Sequence, residues 1–241
     1  AMPFALPSSK ITVGYWKIRG LGAPMRMMLD YGGADWESKE YELLEKPDGG
    51  YDASQWFDAE KGDKPSLIAK NALMNLPFVV DGDLVVTQSQ ACYMYIARKM
   101  KLDGADDVQR VKNEQCLFQV FDLRNDAVKL LYGPKDAYAA SIAGHFGQTV
   151  PGHYTKLDNY LKGTGTTFFN SDKPLSADFH LIEMMESHEA WAKAEGQPSP
   201  LEKFEKLKAL LAAFKALPEM QNHFKSASYA LPWNNKSAHF K

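Results

Sequence analysis

Cysteine is scarce. The 241 residues hold two, Cys92 and Cys116, too few and too far apart for a disulfide framework, a zinc site or a Cys-x-x-Cys redox motif. Long apolar runs are missing as well, and the run at 209–214 falls far short of the ~18 to 20 residues of a membrane helix. Neither sign of charge dominates: 28 Lys and Arg stand against 30 Asp and Glu, with 12 basic and 14 acidic residues in positions 1–103 and 16 of each beyond. A nucleic-acid binder carries a basic stripe or excess, whereas the densest cluster here, Arg98-Lys99-Met100-Lys101, suits the last turn of a helix, where cations complement the dipole. The stretch up to Ser9 lacks the basic head and long apolar core of a signal peptide, and Ala1-Met2 reads as an expression remnant. These absences predict a soluble cytoplasmic chain in a reducing compartment, with neither nucleic acid nor membrane as partner. Familiar catalytic motifs are lacking too: no Gly-x-Ser-x-Gly elbow, no His-Glu-x-x-His helix and no phosphate-cradling loop. The six histidines are scattered, so no metal is expected.

What is there is an ordinary globular composition, 45% hydrophobic and 24% charged, at a length that suits one to two domains. The first hundred residues alternate patterns. Ile11, Val13 and Tyr15 share one face of an extended segment, Gly20-Leu21-Gly22 stops it, and Met25, Met28 and Leu29 recur at helical spacing up to Gly32-Gly33. A second strand is predicted over 36–43 and at most a short helix over 51–61. A hairpin follows, with Asp81-Gly82-Asp83 between β-branched runs, and then a helix over 89–101. The order βαβ then ββα predicts an α/β domain around a four-stranded mixed sheet over residues 10–103. After a linker at 104–107 the strand signals vanish, and residues 108–232 read as an all-α domain of four or five helices.

Three positions stand out for chemistry. Tyr15 closes the first strand before a glycine-rich turn, at the sheet edge where α/β proteins bind ligands; by period alone it is equally a core aromatic beside Ile11 and Val13. Thr87-Gln88-Ser89 marks a strand-to-helix junction, where Ser89 would cap the helix and the free first-turn N–H groups could take a carboxylate or phosphate. Asn75-Leu76-Pro77 precedes a hairpin strand, either as a simple turn or as a cis-proline corner that turns the Leu76 backbone outward to pair with an extended peptide.

These features, with their order and spacing, resemble the cytosolic glutathione transferases, most closely the mu class, from about Ile11 to Pro232. The resemblance is carried by Gly14-Tyr15-Trp16-Lys17-Ile18-Arg19-Gly20-Leu21, the loop from Pro47-Asp48-Gly49-Gly50 to Gln55-Trp56, Asn75-Leu76-Pro77, Thr87-Gln88-Ser89 and Tyr95-Ile96-Ala97-Arg98-Lys99. It implies a thioredoxin-like glutathione-binding domain and an all-helical electrophile-binding domain. It also implies a homodimer that conjugates reduced glutathione to small hydrophobic electrophiles. Tyr15 matches the tyrosine that donates a hydrogen bond to the glutathione sulfur. By the same resemblance Gln88 and Ser89 hold the γ-glutamyl carboxylate, the Leu76 backbone pairs with the cysteinyl unit, and Trp56 with a lysine takes the glycyl end. Trp16, Leu21 and Asn75 line that cleft, and Asp122 reaches the γ-glutamyl amine of the neighbouring subunit. Tyr132, with Phe121, Asn125, Val128 and Tyr229, would wall the electrophile pocket.

The chain departs from the mu pattern in places. The stretch from Trp56 to Asn75 is longer, which leaves Lys61 and Lys64 both as candidates for the glycyl carboxylate. Ala53 stands where a basic residue is common, and Leu175 stands where the capping box before Asp178 has Ser or Thr, which predicts a half-formed box. The tail beyond Pro232 follows no mu ending. A non-catalytic transferase-like binding or structural protein, or a glutathione-dependent isomerase or peroxidase, would share the same residues. A disulfide oxidoreductase would need a cysteine near the first helix, and positions 14–26 have none.

Overall fold

In the computed structural model, which describes residues 10–241, the chain is organised around one sheet and one helical bundle; the readings of the first nine residues lie outside the described residues. Strand β1 (Ile11–Trp16) pairs in parallel with β2 (Trp36–Tyr41), and helix α1 (Gly22–Tyr31) makes the crossover. A two-stranded ribbon, β3 (Leu44–Glu45) and β4 (Tyr51–Asp52), follows, then two short helices, α2 (Ser54–Phe57) and α3 (Asp63–Ile68). The added helix α3 occupies the long stretch between Trp56 and Asn75. Strands β5 (Phe78–Asp81) and β6 (Leu84–Thr87) form the hairpin at Gly82-Asp83, with Gly82 at φ 59°, a conformation open to glycine. The order β2-β1-β5-β6, with only the β1–β2 pair parallel, is the thioredoxin-like arrangement. Helix α4 (Ser89–Met100) closes this half.

The period-2 pattern of β1 gives the sheet two cores. Ile11, Val13 and Tyr15 face α1, α4 and the helical bundle, while Gly14 on the other face lies under the ring of Phe78. A Cβ at Gly14 would stand 2.1 Å from that ring. Phe78 in turn stacks on Trp56 with centroids 5.8 Å apart, in a smaller core shared with Tyr41, Met74 and Val85.

Beyond residue 101 every regular element is helical: α5 (Asp107–Leu131), α6 (Lys135–Gly144), α7 (Val150–Thr164), α8 (Ser176–Ala194) and α9 (Glu205–Lys215). Helices α6 and α7 are continuous through a π-helical turn at His145–Thr149, a junction the sequence reading did not mark. Helix α8 crosses the centre and packs on α1, α4 and α5. Its N-terminus shows the half box: Asp178 accepts from the Leu175 N–H at 2.8 Å and the Phe169 N–H at 3.0 Å, and leucine has no side-chain acceptor to return the bond. Asn113 of α5 fills in, accepting from the Ala177 N–H at 3.2 Å and donating to the Ser176 hydroxyl at 2.8 Å, while the Ser176 N–H bonds to the Leu102 carbonyl at 2.9 Å, so two orphan donors of the first turn find partners outside the helix.

Candidate active site

Tyr15 is 6% exposed at the carboxyl end of β1. Its hydroxyl lies against the β1–α1 loop, where an ideal Cβ on Gly20 would come within 3.2 Å of it and one on Gly22 within 2.9 Å of its ring. The glycines that stop the strand therefore also make room for the phenol. The Leu21 carbonyl accepts from the Tyr93 hydroxyl at 2.9 Å, which pins the loop to α4. Buried Arg26 donates to the Ile18 carbonyl at 2.8 Å and braces the same turn. Burial holds the Tyr15 pKa above its ordinary value, against the opposing pull of Arg124, the Leu21 N–H and Arg26. The hydroxyl is thus a proton-bearing donor near neutral pH. Tyr15 belongs to the core with Ile11 and Val13 and also lines a cavity.

Beside this loop, the peptide bond Leu76-Pro77 is cis. Thr87 stitches that corner to the end of β6: its hydroxyl accepts from the Asn75 N–H at 3.1 Å and donates to the Asn75 carbonyl at 2.8 Å. The Leu76 N–H bonds to the Asn75 side chain at 2.9 Å. At α4 the cap is one residue earlier than predicted. Gln88 holds the N-cap position at φ 72° and Ser89 is the first helical residue, so the expected Ser89 cap is not formed. The left-handed backbone at Gln88, uncommon for a side chain with a Cβ, turns the strand sharply into the helix. Trp56 is wholly buried and its Nε1 has no hydrogen-bond partner. Trp16 packs 6.4 Å from Phe57, and Lys64 stands 5.0 Å over the Phe57 ring, whereas Lys61 is exposed on the loop before α3.

On the helical side a cavity runs from Tyr15 to α8. Of the residues expected around it, Val128 and Tyr132 line it; Phe121, Asn125 and Tyr229 do not. Phe121 is buried one turn earlier, between Tyr93 and His180 at 5.4 and 4.4 Å. Asn125 is exposed, and the Tyr229 hydroxyl is committed to Glu186 at 2.8 Å. The lining stripe of α5 passes instead through Arg124, Ala127, Val128 and Leu131. It is rotated from the predicted stripe by less than one residue step of about 100°. Asp122 is exposed on the opposite side of the helix.

The tail decides the mouth of the cavity. The Pro232 and Trp233 carbonyls accept from the N–H groups of Arg19 and Gly20 at 2.7 and 3.1 Å, and the Asn235 N–H bonds to the Tyr132 hydroxyl at 3.0 Å. Beneath the tail, Arg19 is 4% exposed, bound to Glu183 and Glu186 at 2.6 and 2.7 Å, with its guanidinium 3.7 Å over Trp233 and 4.5 Å over Tyr229. Sequence reasoning passed over Arg19, Arg26, Tyr93, Arg124 and His180. Arg19 lies within the segment from Gly14 to Leu21, and a charged residue beside the glycine-rich turn is the available signal. Both cysteines are buried, and burial pushes their thiols up to about 12 and 11, which keeps both protonated near neutral pH. Among the described residues no cluster of His, Cys, Asp and Glu is arranged to hold a metal, and no helix is long and apolar enough to cross a membrane.

Residues 11–98 match the family profile described as glutathione S-transferase, N-terminal domain, and residues 121–227 match the corresponding C-terminal domain profile. Glutathione S-transferase Mu 1 of Mus musculus is 31% identical over 95% of this chain and 97% of its own length. Glutathione S-transferase Mu 2 of Homo sapiens is also 31% identical, over 94% of this chain and 99% of its own. Two solved structures share the fold. The glutathione S-transferase Blo t 8 superposes with a TM-score of 0.77 at 20% identity, over 95% of this chain and 99% of that one. A Pi-class glutathione S-transferase of Onchocerca volvulus gives 0.76 at 23% identity, over 96% and 100%.

Proposed function

Because the chain belongs to the glutathione S-transferase family, we propose that it conjugates the thiolate of reduced glutathione to hydrophobic electrophiles, with Tyr15 as the group that stabilises the thiolate. Residues 10–103 would bind glutathione and residues 108–232 the electrophile. The observation that carries the mechanism is a protonated, buried hydroxyl at the cavity wall between two cations, Arg26 and Arg124. A free thiol of pKa ~8.5 is only a few per cent thiolate at neutral pH. A hydrogen bond to the anion is worth about 1.5–3 kcal/mol, which lowers that pKa by roughly one to two units. The activated sulfur then attacks the electrophilic carbon, and no protein nucleophile is required.

The rest of the tripeptide finds complementary groups. The Trp56 Nε1 is a buried donor without a partner, a costly state in the free protein that a glycyl carboxylate would relieve, with Lys64 over the neighbouring Phe57 ring and Lys61 exposed before α3 as the candidate cations. The first-turn N–H groups of α4, with the Ser89 hydroxyl, suit the γ-glutamyl carboxylate. The Leu76 carbonyl suits the cysteinyl N–H. Asp122 shares an exposed face of α5 with Val108, Val111 and Phe118, and all three apolar side chains are exposed. A second copy covering that apolar face would form a homodimer in which Asp122 approaches the partner's site. Calorimetric titration with glutathione, together with turnover of an activated aryl halide, tests the reading. Glutathione binding with no turnover across a broad electrophile panel assigns a non-catalytic binding role instead.

A further inference from the structure

We propose that the electrophile cavity is built for acceptors carrying a carboxylate or similar anionic group, held by Arg124 and His180. The inference rests on the transferase reading and deepens it by naming the substrate class. Its basis is the state of the polar side chains that line the cavity together with Tyr15 and Tyr132. Glu183 is already neutralised, since Arg19 holds both its oxygens at 2.6–3.2 Å. His188 is also committed, its Nδ1 to the Met184 carbonyl at 2.7 Å and its Nε2 to His145 at 3.3 Å. Arg124 is not. Half-buried at the wall, it forms no ion pair among the described residues, and its one hydrogen bond goes to the neutral amide of Asn125 at 3.4 Å. His180, 1% exposed, has an Nδ1 with no hydrogen-bond partner. Burial keeps its imidazole neutral, with a pKa pushed down to about 3, so the uncompensated charge of the lining is that of Arg124.

Arg124 projects from α5 and His180 from α8, so two helices bring an unpaired cation and an unsatisfied imidazole nitrogen to one cavity. A wholly apolar acceptor would desolvate the guanidinium without replacing its hydrogen bonds to water and would leave the imidazole nitrogen unpaired. A carboxylate on its far end would pair with the guanidinium and meet the imidazole, while its reactive carbon faced Tyr15. Sites built around polar groups discriminate strongly against ligands that leave those groups unpaired.

The test compares 4-chloro-3,5-dinitrobenzoate with its methyl ester, each rate divided by its uncatalysed rate with glutathione. In both reactions the sulfur–carbon bond forms, chloride leaves with the electron pair of the carbon–chlorine bond, and the thiol proton passes to solvent. The expected result is a preference for the carboxylate in kcat/KM. In Arg124→Met the loss on the carboxylate should exceed the loss on the ester by roughly 10- to 100-fold, the range of a charge-assisted pair, and His180→Leu should lower the same ratio by a smaller factor. Turnover of both compounds with an equal loss in Arg124→Met overturns the inference and leaves the transferase reading standing. If neither these compounds nor any of the broad electrophile panel turns over, the transferase reading fails. The affinity of the dinitrobenzoate for the protein, measured by quenching of tryptophan fluorescence, then decides: weakening in Arg124→Met supports an anion-binding cavity, and unchanged affinity removes it.

Discussion

Replacing Tyr15 by phenylalanine removes one oxygen from a ring that is otherwise core. The ring keeps its packing against Ile11, Val13 and the Gly20–Gly22 turn, so the fold should survive. The structural cost is the loss of a hydroxyl that the nearby Leu21 N–H favours, at most about 1 kcal/mol. The chemical cost is larger. If the hydroxyl contributes about 1.5–3 kcal/mol to the bound thiolate, its loss raises the thiol pKa by roughly one to two units. At a pH below both values the thiolate fraction, and with it kcat/KM, falls about 10- to 100-fold. The pH–rate profile distinguishes this from general damage: its acid limb should move up by the same one to two units, and activity should recover at alkaline pH. Burial holds the Tyr15 hydroxyl above its ordinary pKa, so the wild-type limb reports the thiol and not the phenol. Ultraviolet absorbance of the bound thiolate gives the same titration without turnover. An unchanged profile in a variant that still binds glutathione would refute the assignment of Tyr15.

Arg19→Met should be the most destabilising single change near the site, by about 3–5 kcal/mol in urea denaturation, because it strands the buried Glu183 carboxylate; Glu183→Gln in the same background should restore part of the loss. Gly14→Ala drives a Cβ into the Phe78 ring and should cost about 1–3 kcal/mol, with a matching drop in melting temperature. Acid should weaken the fold through its buried imidazoles. His145, His180 and His188 are held neutral by burial, with pKa values near 4, 3 and 3 against about 6.5 in the unfolded chain. The unfolded state therefore takes up protons first, and stability is lost as pH falls from about 6.5 toward 4, up to about 2 kcal/mol per histidine by pH ~5. Urea titrations at the two ends of that range measure it, and a His188→Gln variant should show a shallower loss.

Much of the fold is written in local pattern. The alternation of Ile11, Val13 and Tyr15, the Asp-Gly hairpin signal at 81–82 and the loss of strand signals after residue 103 set the order of elements, because backbone geometry and side-chain period are local properties. Tyr15, Asn75, Gln88 and Ser89 were legible for the same reason: each sits at an element end that local signals mark. The helical side was harder. One stripe of α5 was legible, but whether Phe121 or Arg124 faces the cavity depends on how α8 and α4 pack against it, and a rotation of less than one residue step exchanges a core position for a lining one. The capping site at α8 shows the same limit, since the acceptor missing at Leu175 is supplied by Asn113, 62 positions away in sequence.

The sequence alone thus determined the two halves of the chain, the phenol at the end of the first strand and the helix start beside it, since each follows from the propensities and spacing of neighbouring residues. Only the tertiary structure decided the electrostatics of the cavity. Whether a cation such as Arg19 is spent on a buried carboxylate, or stands unpaired like Arg124, depends on residues distant in sequence being brought within a few ångströms. Whether a phenol such as Tyr15 keeps its proton depends on how completely those residues exclude water.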